Sequence, residues 1–125
     1  MNDYETLYQR ALDAAVRRRL SENTEAGSVG AALLTNQGNI YTGVCIDLPC
    51  GIGFCAEHAA AAAMVTAGEN RVVKLLAVLH TGEVVPPCGR CRELIRFLHP
   101  DNNNCVVYLS RDRTKTIAEL LPDPW

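Results

Sequence analysis

The chain has no large excess of charge of either sign. Twelve Lys and Arg stand against fourteen Asp and Glu, for a formal net charge of −2. No basic field that would draw the whole chain to nucleic acid is expected. Long apolar runs are also missing; none approaches the roughly 20 residues of a membrane-spanning helix, so no membrane partner is expected. The opening Met1-Asn2-Asp3-Tyr4-Glu5 lacks the basic and apolar regions of a secretory leader. A reduced, cytoplasmic chain is therefore expected, in which six cysteines point to metal or reactive thiols rather than disulfides. Internal repeats and composition breaks are absent too. What is present is ordinary for a globular chain: 125 residues, 48% apolar and 21% charged. That predicts one domain over residues 1–125 with a substantial core.

Residues 3–20 place Tyr4, Leu7, Tyr8, Ala11, Leu12, Ala15 and Val16 at helical spacing. Arg17-Arg18-Arg19 then closes that helix as a solvated cationic end. Residues 21–28 are a polar connection. Residues 29–34 predict a buried strand, Asn36-Gln37-Gly38-Asn39 a turn, and residues 40–46 the returning strand of a hairpin. Pro49, Gly51 and Gly53 keep residues 48–53 irregular. Residues 55–67 are almost pure helix former, with alanine on every face, which predicts burial all round; Gly68 ends that helix. Residues 72–79 form a strand apolar on both faces. A helix over 88–98 turns Leu94, Ile95 and Leu98 inward and stops before Pro100. A strand over 105–109 and a short helix over 116–121 complete the order. The expected class is α/β: a three-layer sandwich with helices on both faces of one mixed sheet.

Two segments carry the chemistry: Phe54-Cys55-Ala56-Glu57 and Pro87-Cys88-Gly89-Arg90-Cys91. Three thiolates can hold a zinc ion and leave its fourth tetrahedral position open for water. Cys55 and Cys88 each fall at a loop-to-helix junction. Free N–H groups and the positive end of the dipole there favour thiolate. Cys91 follows Cys88 by one turn, which brings both sulfurs to one ion. Glu57, in the first turn of its helix, lies beside such a metal without ligating it and is placed to move protons. Two other classes fit parts of this pattern. Cys88-x-x-Cys91 alone also describes a dithiol redox protein. A fourth ligand from Cys45, Cys50 or His58 would make a zinc-stapled binding or regulatory protein. A redox pair leaves Cys55-Ala56-Glu57 unexplained, whereas three ligands and an adjacent carboxylate describe a hydrolase. Cys105, inside an apolar strand, is a buried small hydrophobe.

At these residues the chain resembles the cytidine deaminase family, whose motif joins a three-cysteine or His/Cys/Cys zinc site, a non-ligand Glu and Pro-Cys-x-x-Cys. The resemblance runs from Val29 to Leu120-Leu121-Pro122. Cys55, where other branches carry His, is similar to the small nucleoside-deaminating forms. Pro87-Cys88-Gly89-Arg90-Cys91-Arg92, with Leu98-His99-Pro100 after it, is especially similar to blasticidin S deaminases, which act on a cytosine nucleoside antibiotic. Trp125 matches an aromatic residue that follows Leu-Leu-Pro in that group.

The resemblance implies a cytidine deaminase-like fold with a mixed five-stranded sheet. It implies Zn2+ on Cys55, Cys88 and Cys91, and Glu57 as the catalytic acid and base of hydrolytic deamination at C4 of cytosine. The product is a uracil nucleoside with ammonia. It further implies a homotetramer with sites shared between subunits. Phe54 and Ala56 then fall among the substrate contacts. Cys45-Ile46-Asp47-Leu48 stands where the family carries Asn-x-Glu-Asn on the ribose hydroxyls; Asp47 keeps a carboxylate there, while Cys45 replaces an amide. His58 stands where Arg often follows the catalytic Glu, and is expected beside a thiolate. Arg90 is expected in the same surroundings, behind the ligands. Trp125 is expected over a substrate pocket, in a neighbouring subunit.

Overall fold

The computed structural model describes residues 2–125. Helix α1 (Asp3–Ala14) starts on Asn2, whose side chain accepts a hydrogen bond from the Glu5 N–H at 2.9 Å. It stops at Ala14, well short of the helix expected over 3–20. Beyond it, Arg18–Arg19 form a two-residue strand, β1, that pairs with Ala26 and Glu25 of β2 (Glu25–Thr35). The reason is an open edge. Strand β2 starts four residues before the expected position and outruns its neighbour β4 (Val72–Leu79), whose pairing begins only at Val29. The Glu25 carboxylate takes Arg17 at 3.4 Å and Arg19 at 3.5 Å. The arginine triplet therefore serves a sheet edge, not a helix end.

The expected hairpin is present: β2 pairs antiparallel with β3 (Ile40–Asp47) from Leu34↔Ile40 to Glu25↔Asp47, with an irregularity between Ala26 and Gly30. Strand β4 runs antiparallel to β2 and parallel to β6 (Val106–Tyr108), which pairs with β7 (Thr114–Thr116). The sheet is mixed, as expected, but has seven strands rather than five. The two-residue strands β1 and β5 (Val84–Val85) make the difference, pairing ends of β2 and β4 that longer strands leave open.

Alternation along the central strands divides the core. Ala32, Leu76 and Val78 meet Leu7 and Ala11 of α1 on one face. Leu33 and Leu75 meet Ala60, Ala61 and Met64 of α2 (Ala56–Thr66) and Ile95 of α3 (Gly89–Leu98) on the other. Two glycines let the helices approach this closely. A Cβ on Gly30 would lie 2.2 Å from the Ala11 carbonyl oxygen, and one on Gly43 2.4 Å from the Ala60 nitrogen. The result is the expected three-layer α/β/α sandwich.

Helix α2 is not buried all round within this chain. Ala56, Glu57, Ala60, Ala61 and Met64 face inward, while Ala62, Ala63 and Val65 are exposed. An all-alanine stretch carries no amphipathic pattern, so Met64 and the fit against Gly43 mark the inner side. A 3-10 turn at Pro100–Asn104 follows α3, and α4 (Ile117–Leu120) carries a capping box between Thr116 and Glu119. Fully buried Asn102 accepts from the Val72 N–H at 2.8 Å and donates to the Ile95 carbonyl at 2.8 Å, tying α3 to β4. Among the described residues no helix is long and apolar enough to cross a membrane.

Candidate active site

Two fastenings deliver the cysteines. After β3, the chain loops out and returns at Phe54. There it makes a doubly hydrogen-bonded bridge to Ile46, with N–H···O=C distances of 2.8 and 3.0 Å. The next residue, Cys55, is the N-cap of α2. In the second segment Cys88 is the N-cap of α3. The Arg92 guanidinium holds that loop, donating to the Pro87 carbonyl at 2.8 Å and to the Leu120 carbonyl at 3.1 Å. Neither cysteine side chain caps its helix, so both sulfurs are free to turn toward each other.

They do so. Cys88 Sγ lies 3.4 Å from Cys55 Sγ and 3.4 Å from Cys91 Sγ. His58 Nδ1 sits 3.2 Å from Cys91 Sγ, and the donor atoms of Cys55, His58 and Cys91 all lie within 4.8 Å of one another. Thiolates bound tetrahedrally at about 2.3 Å from zinc stand about 3.8 Å apart, so the spacing of these sulfurs fits the ion. The chain therefore brings together the three expected ligands and His58.

The surroundings set the proton chemistry. Burial pushes the Cys55 thiol pKa up, with the Cys88 thiol adding to it. Burial also pushes Cys91 well up, and the neighbouring Glu57 carboxylate adds to it. At Cys88 burial is outweighed by the Cys91 N–H, the two neighbouring thiols and the Arg90 N–H, and the pKa falls below the ordinary thiol value. Hydrogen bonds from the first turn of α3 and from the neighbouring thiols thus favour thiolate at Cys88, while at Cys55 burial prevails. Crowding three thiols beside a carboxylate favours protons on some of them, which a metal ion would release on binding. Glu57 is only 5% exposed, and burial raises its carboxyl pKa. Burial, then the Arg90 guanidinium, lower that of His58.

A cleft of about 280 Å³ opens over Glu57, Cys55 and Cys88, with Phe54 and Ala56 in its wall. Cys45 and Asp47, the residues expected at the sugar, line it as well. They are joined by Ser28, which sequence reasoning missed. The Ser28 hydroxyl lies 3.0 Å from Cys45 Sγ and donates to Asp47 Oδ2 at 3.0 Å. Only the pairing of β2 with β3 brings residue 28 to residues 45 and 47, so no local pattern could have marked it. Arg90 donates to the Gly53 carbonyl at 3.3 Å and, among the described residues, its guanidinium makes no hydrogen bond to a sulfur. Trp125 is 98% exposed; its backbone N–H donates to Glu93 at 3.4 Å, and its ring does not line the cleft of its own chain.

Residues 1–108 match the family model described as the cytidine and deoxycytidylate deaminase zinc-binding region. The cytidine deaminase of Mycobacterium tuberculosis is 34% identical over 97 residues, spanning 77% of this chain and 71% of that protein. The blasticidin-S deaminase of Bacillus cereus is 36% identical over 106 residues, spanning 75% of this chain and 74% of that one. The crystal structure of the Mycobacterium tuberculosis cytidine deaminase superposes with a TM-score of 0.82 at 29% identity, over 100% of this chain and 98% of the other. The chain belongs to the cytidine and deoxycytidylate deaminase family.

Proposed function

We propose that the chain, as a single domain over residues 1–125, hydrolytically deaminates the cytosine ring of a nucleoside. The observation that carries this reading is the buried Glu57 carboxylate, which opens on the same cleft as the three-cysteine cluster. Cys55, Cys88 and Cys91 would hold zinc, with His58 bracing Cys91 and Arg90 fixing the Gly53 loop behind them. Bound there, zinc supplies Lewis-acid activation of water at neutral pH. Glu57 protonates N3 of the ring and later hands a proton to the departing nitrogen. A raised carboxyl pKa suits a group that must both hold and release a proton. Water adds its oxygen to C4, the C4–N bond breaks, and ammonia leaves a uracil nucleoside. Phe54 and Ala56 flank the base, and Cys45 and Asp47 meet the sugar.

Charge argues for a nucleoside over a nucleotide. Among the residues lining the cleft, Asp47 and Glu57 are acidic and none is Lys or Arg. A phosphate dianion would meet repulsion and no partner there. Cytidine, deoxycytidine and a modified cytosine nucleoside such as blasticidin S are the substrates this cleft suits. The exposed ring of Trp125 and the outer side of α2 support a homotetramer in which neighbours cover both. All six cysteines are free, which supports a reducing, cytoplasmic setting.

A second reading rests on His58. With Nδ1 this close to Cys91, it could close the zinc site as a fourth ligand and leave a stapled binding protein without turnover. One assay separates the two. Zinc-loaded protein is incubated with cytidine, deoxycytidine, blasticidin S and free cytosine, and loss of ultraviolet absorbance is followed. Turnover of a nucleoside supports the deaminase; full zinc with turnover of none supports the staple.

A further inference from the structure

The wall of the cleft carries a hydrogen-bond chain that ends on Asp47. The Val29 N–H donates to Cys45 Sγ at 3.3 Å, the Cys45 thiol lies 3.0 Å from Ser28 Oγ, and Ser28 Oγ lies 3.0 Å from Asp47 Oδ2. The direction of each link is fixed by what the groups can do. An ionised carboxylate only accepts, so the single proton of Ser28 goes to Asp47. Ser28 can then only accept from its other neighbour, so the Cys45 S–H points at Ser28. The direct approach of Cys45 Sγ to Asp47 is longer, at 3.9 Å.

The consequence for a ligand follows. Oδ2 of Asp47 is held by Ser28, and no hydrogen bond to Oδ1 is made among the described residues. No ion pair within 4.0 Å engages Asp47 among them either, although the residue is exposed at the rim. The donors of this hydrogen-bond chain are committed within it: Ser28 to Asp47, Cys45 to Ser28, the Val29 N–H to Cys45. The chain therefore ends on an acceptor, the carboxylate of Asp47. It matches a hydroxyl that gives a proton.

We propose that Ser28 is a positioning residue, which acts through Asp47 to fix one carboxylate oxygen as the acceptor for a sugar hydroxyl of the substrate. The proposal rests on the deaminase reading and adds the residue that orients its sugar contact. Among the described residues the Ser28 hydroxyl hydrogen-bonds to Cys45 and Asp47 and to none of Cys55, Cys88, Cys91 or Glu57, so its loss should act on binding and not on the chemical step.

A double-mutant cycle tests it, with the best-used nucleoside of cytidine, deoxycytidine and blasticidin S. Ser28→Ala should raise KM about three- to tenfold, the worth of one hydrogen bond, while kcat stays within about twofold and zinc content is unchanged. Ser28→Thr, which keeps the hydroxyl, should restore KM. Asp47→Ala should raise KM at least as much, and adding Ser28→Ala to it should change nothing further. A role in packing alone would instead give additive effects in the double variant and no rescue by threonine; either result overturns the proposal, as does a KM untouched by Ser28→Ala. Failure of the zinc-loaded wild type to turn over any nucleoside would overturn the deaminase reading and this proposal with it. Normal wild-type turnover with additive variants would overturn only the role of Ser28.

Discussion

His58 Nδ1 lies 3.2 Å from Cys91 Sγ, and each of the two is the third residue of its helix. The contact joins α2 to α3 directly across the cysteine cluster. Cys55 and Cys88 occupy the N-caps of the same two helices, so both pairs link the elements at matching positions. The site is therefore a seam between two helix N-termini, and anything that loosens the seam should be felt in both helices.

Removal of a ligand is the first test of that seam. Cys88→Ala should lower bound zinc from about one ion per chain to a small fraction of that. The thermal midpoint should fall as well, because metal binding is coupled to folding. Metal analysis and a melting curve on the same sample check both. Full zinc in Cys88→Ala would mean that His58 has taken the ligand position.

Glu57→Gln separates chemistry from architecture. The carboxylate is buried but is not among the expected ligands, so an isosteric amide should keep zinc and the fold. Turnover should fall by at least about 10²–10⁴, the usual worth of general acid–base catalysis. Steady-state rates beside zinc content and circular dichroism decide it; near-normal rates would remove Glu57 from the mechanism.

Acid stability should depend on Glu69. The Thr35 hydroxyl, then the Tyr41 hydroxyl at 2.6 Å and the Asn39 amide at 2.8 Å, hold its carboxyl below the usual carboxylate range against the effect of burial. A depressed folded-state pKa stabilises the protein above the unfolded value of about 4.3, and that contribution is lost as pH falls through the folded value. Urea midpoints measured from pH 7 down to about pH 3 should therefore drop more steeply for the wild type than for Glu69→Gln. Parallel acid limbs would show that Glu69 is not the group responsible.

Trp125 is tested by deletion. Its ring has no packing partner to lose in its own chain, being 98% exposed. Removing Pro124 and Trp125 should leave the thermal midpoint of the folded subunit and its zinc unchanged, while KM rises. An unchanged KM would mark a free terminus.

Both chemical segments were legible because their meaning lies in residue type and short spacing. Three cysteines and a glutamate within two turns of helix start can be read without knowing the fold. The hairpin and the buried strand at Val72–Leu79 were legible from turn residues and apolar runs. What escaped depends on pairing between distant segments. Nothing local distinguishes Arg18-Arg19 at a helix end from the same residues on the open edge of β2. Ser28 acquires a role only when β2 and β3 align it with Cys45 and Asp47. The inner face of α2 was hidden because alanine repeats on every side, and the small size that allows contact with Gly43 also erases the pattern.

The bridge between Ile46 and Phe54 has a practical consequence for anyone redesigning this enzyme. It closes the excursion over residues 47–53 like a clasp, so the position of Cys55 is set at the clasp and not by the length of the excursion. Lengthening such a closed surface loop costs little, since its closure entropy grows only slowly with length. Residues 49–52 are exposed, and Ile52 stands 73% in the open at the tip. New sequence can be grafted there, next to Gly53 in the wall of the cleft, to reshape its mouth while Cys55 stays anchored.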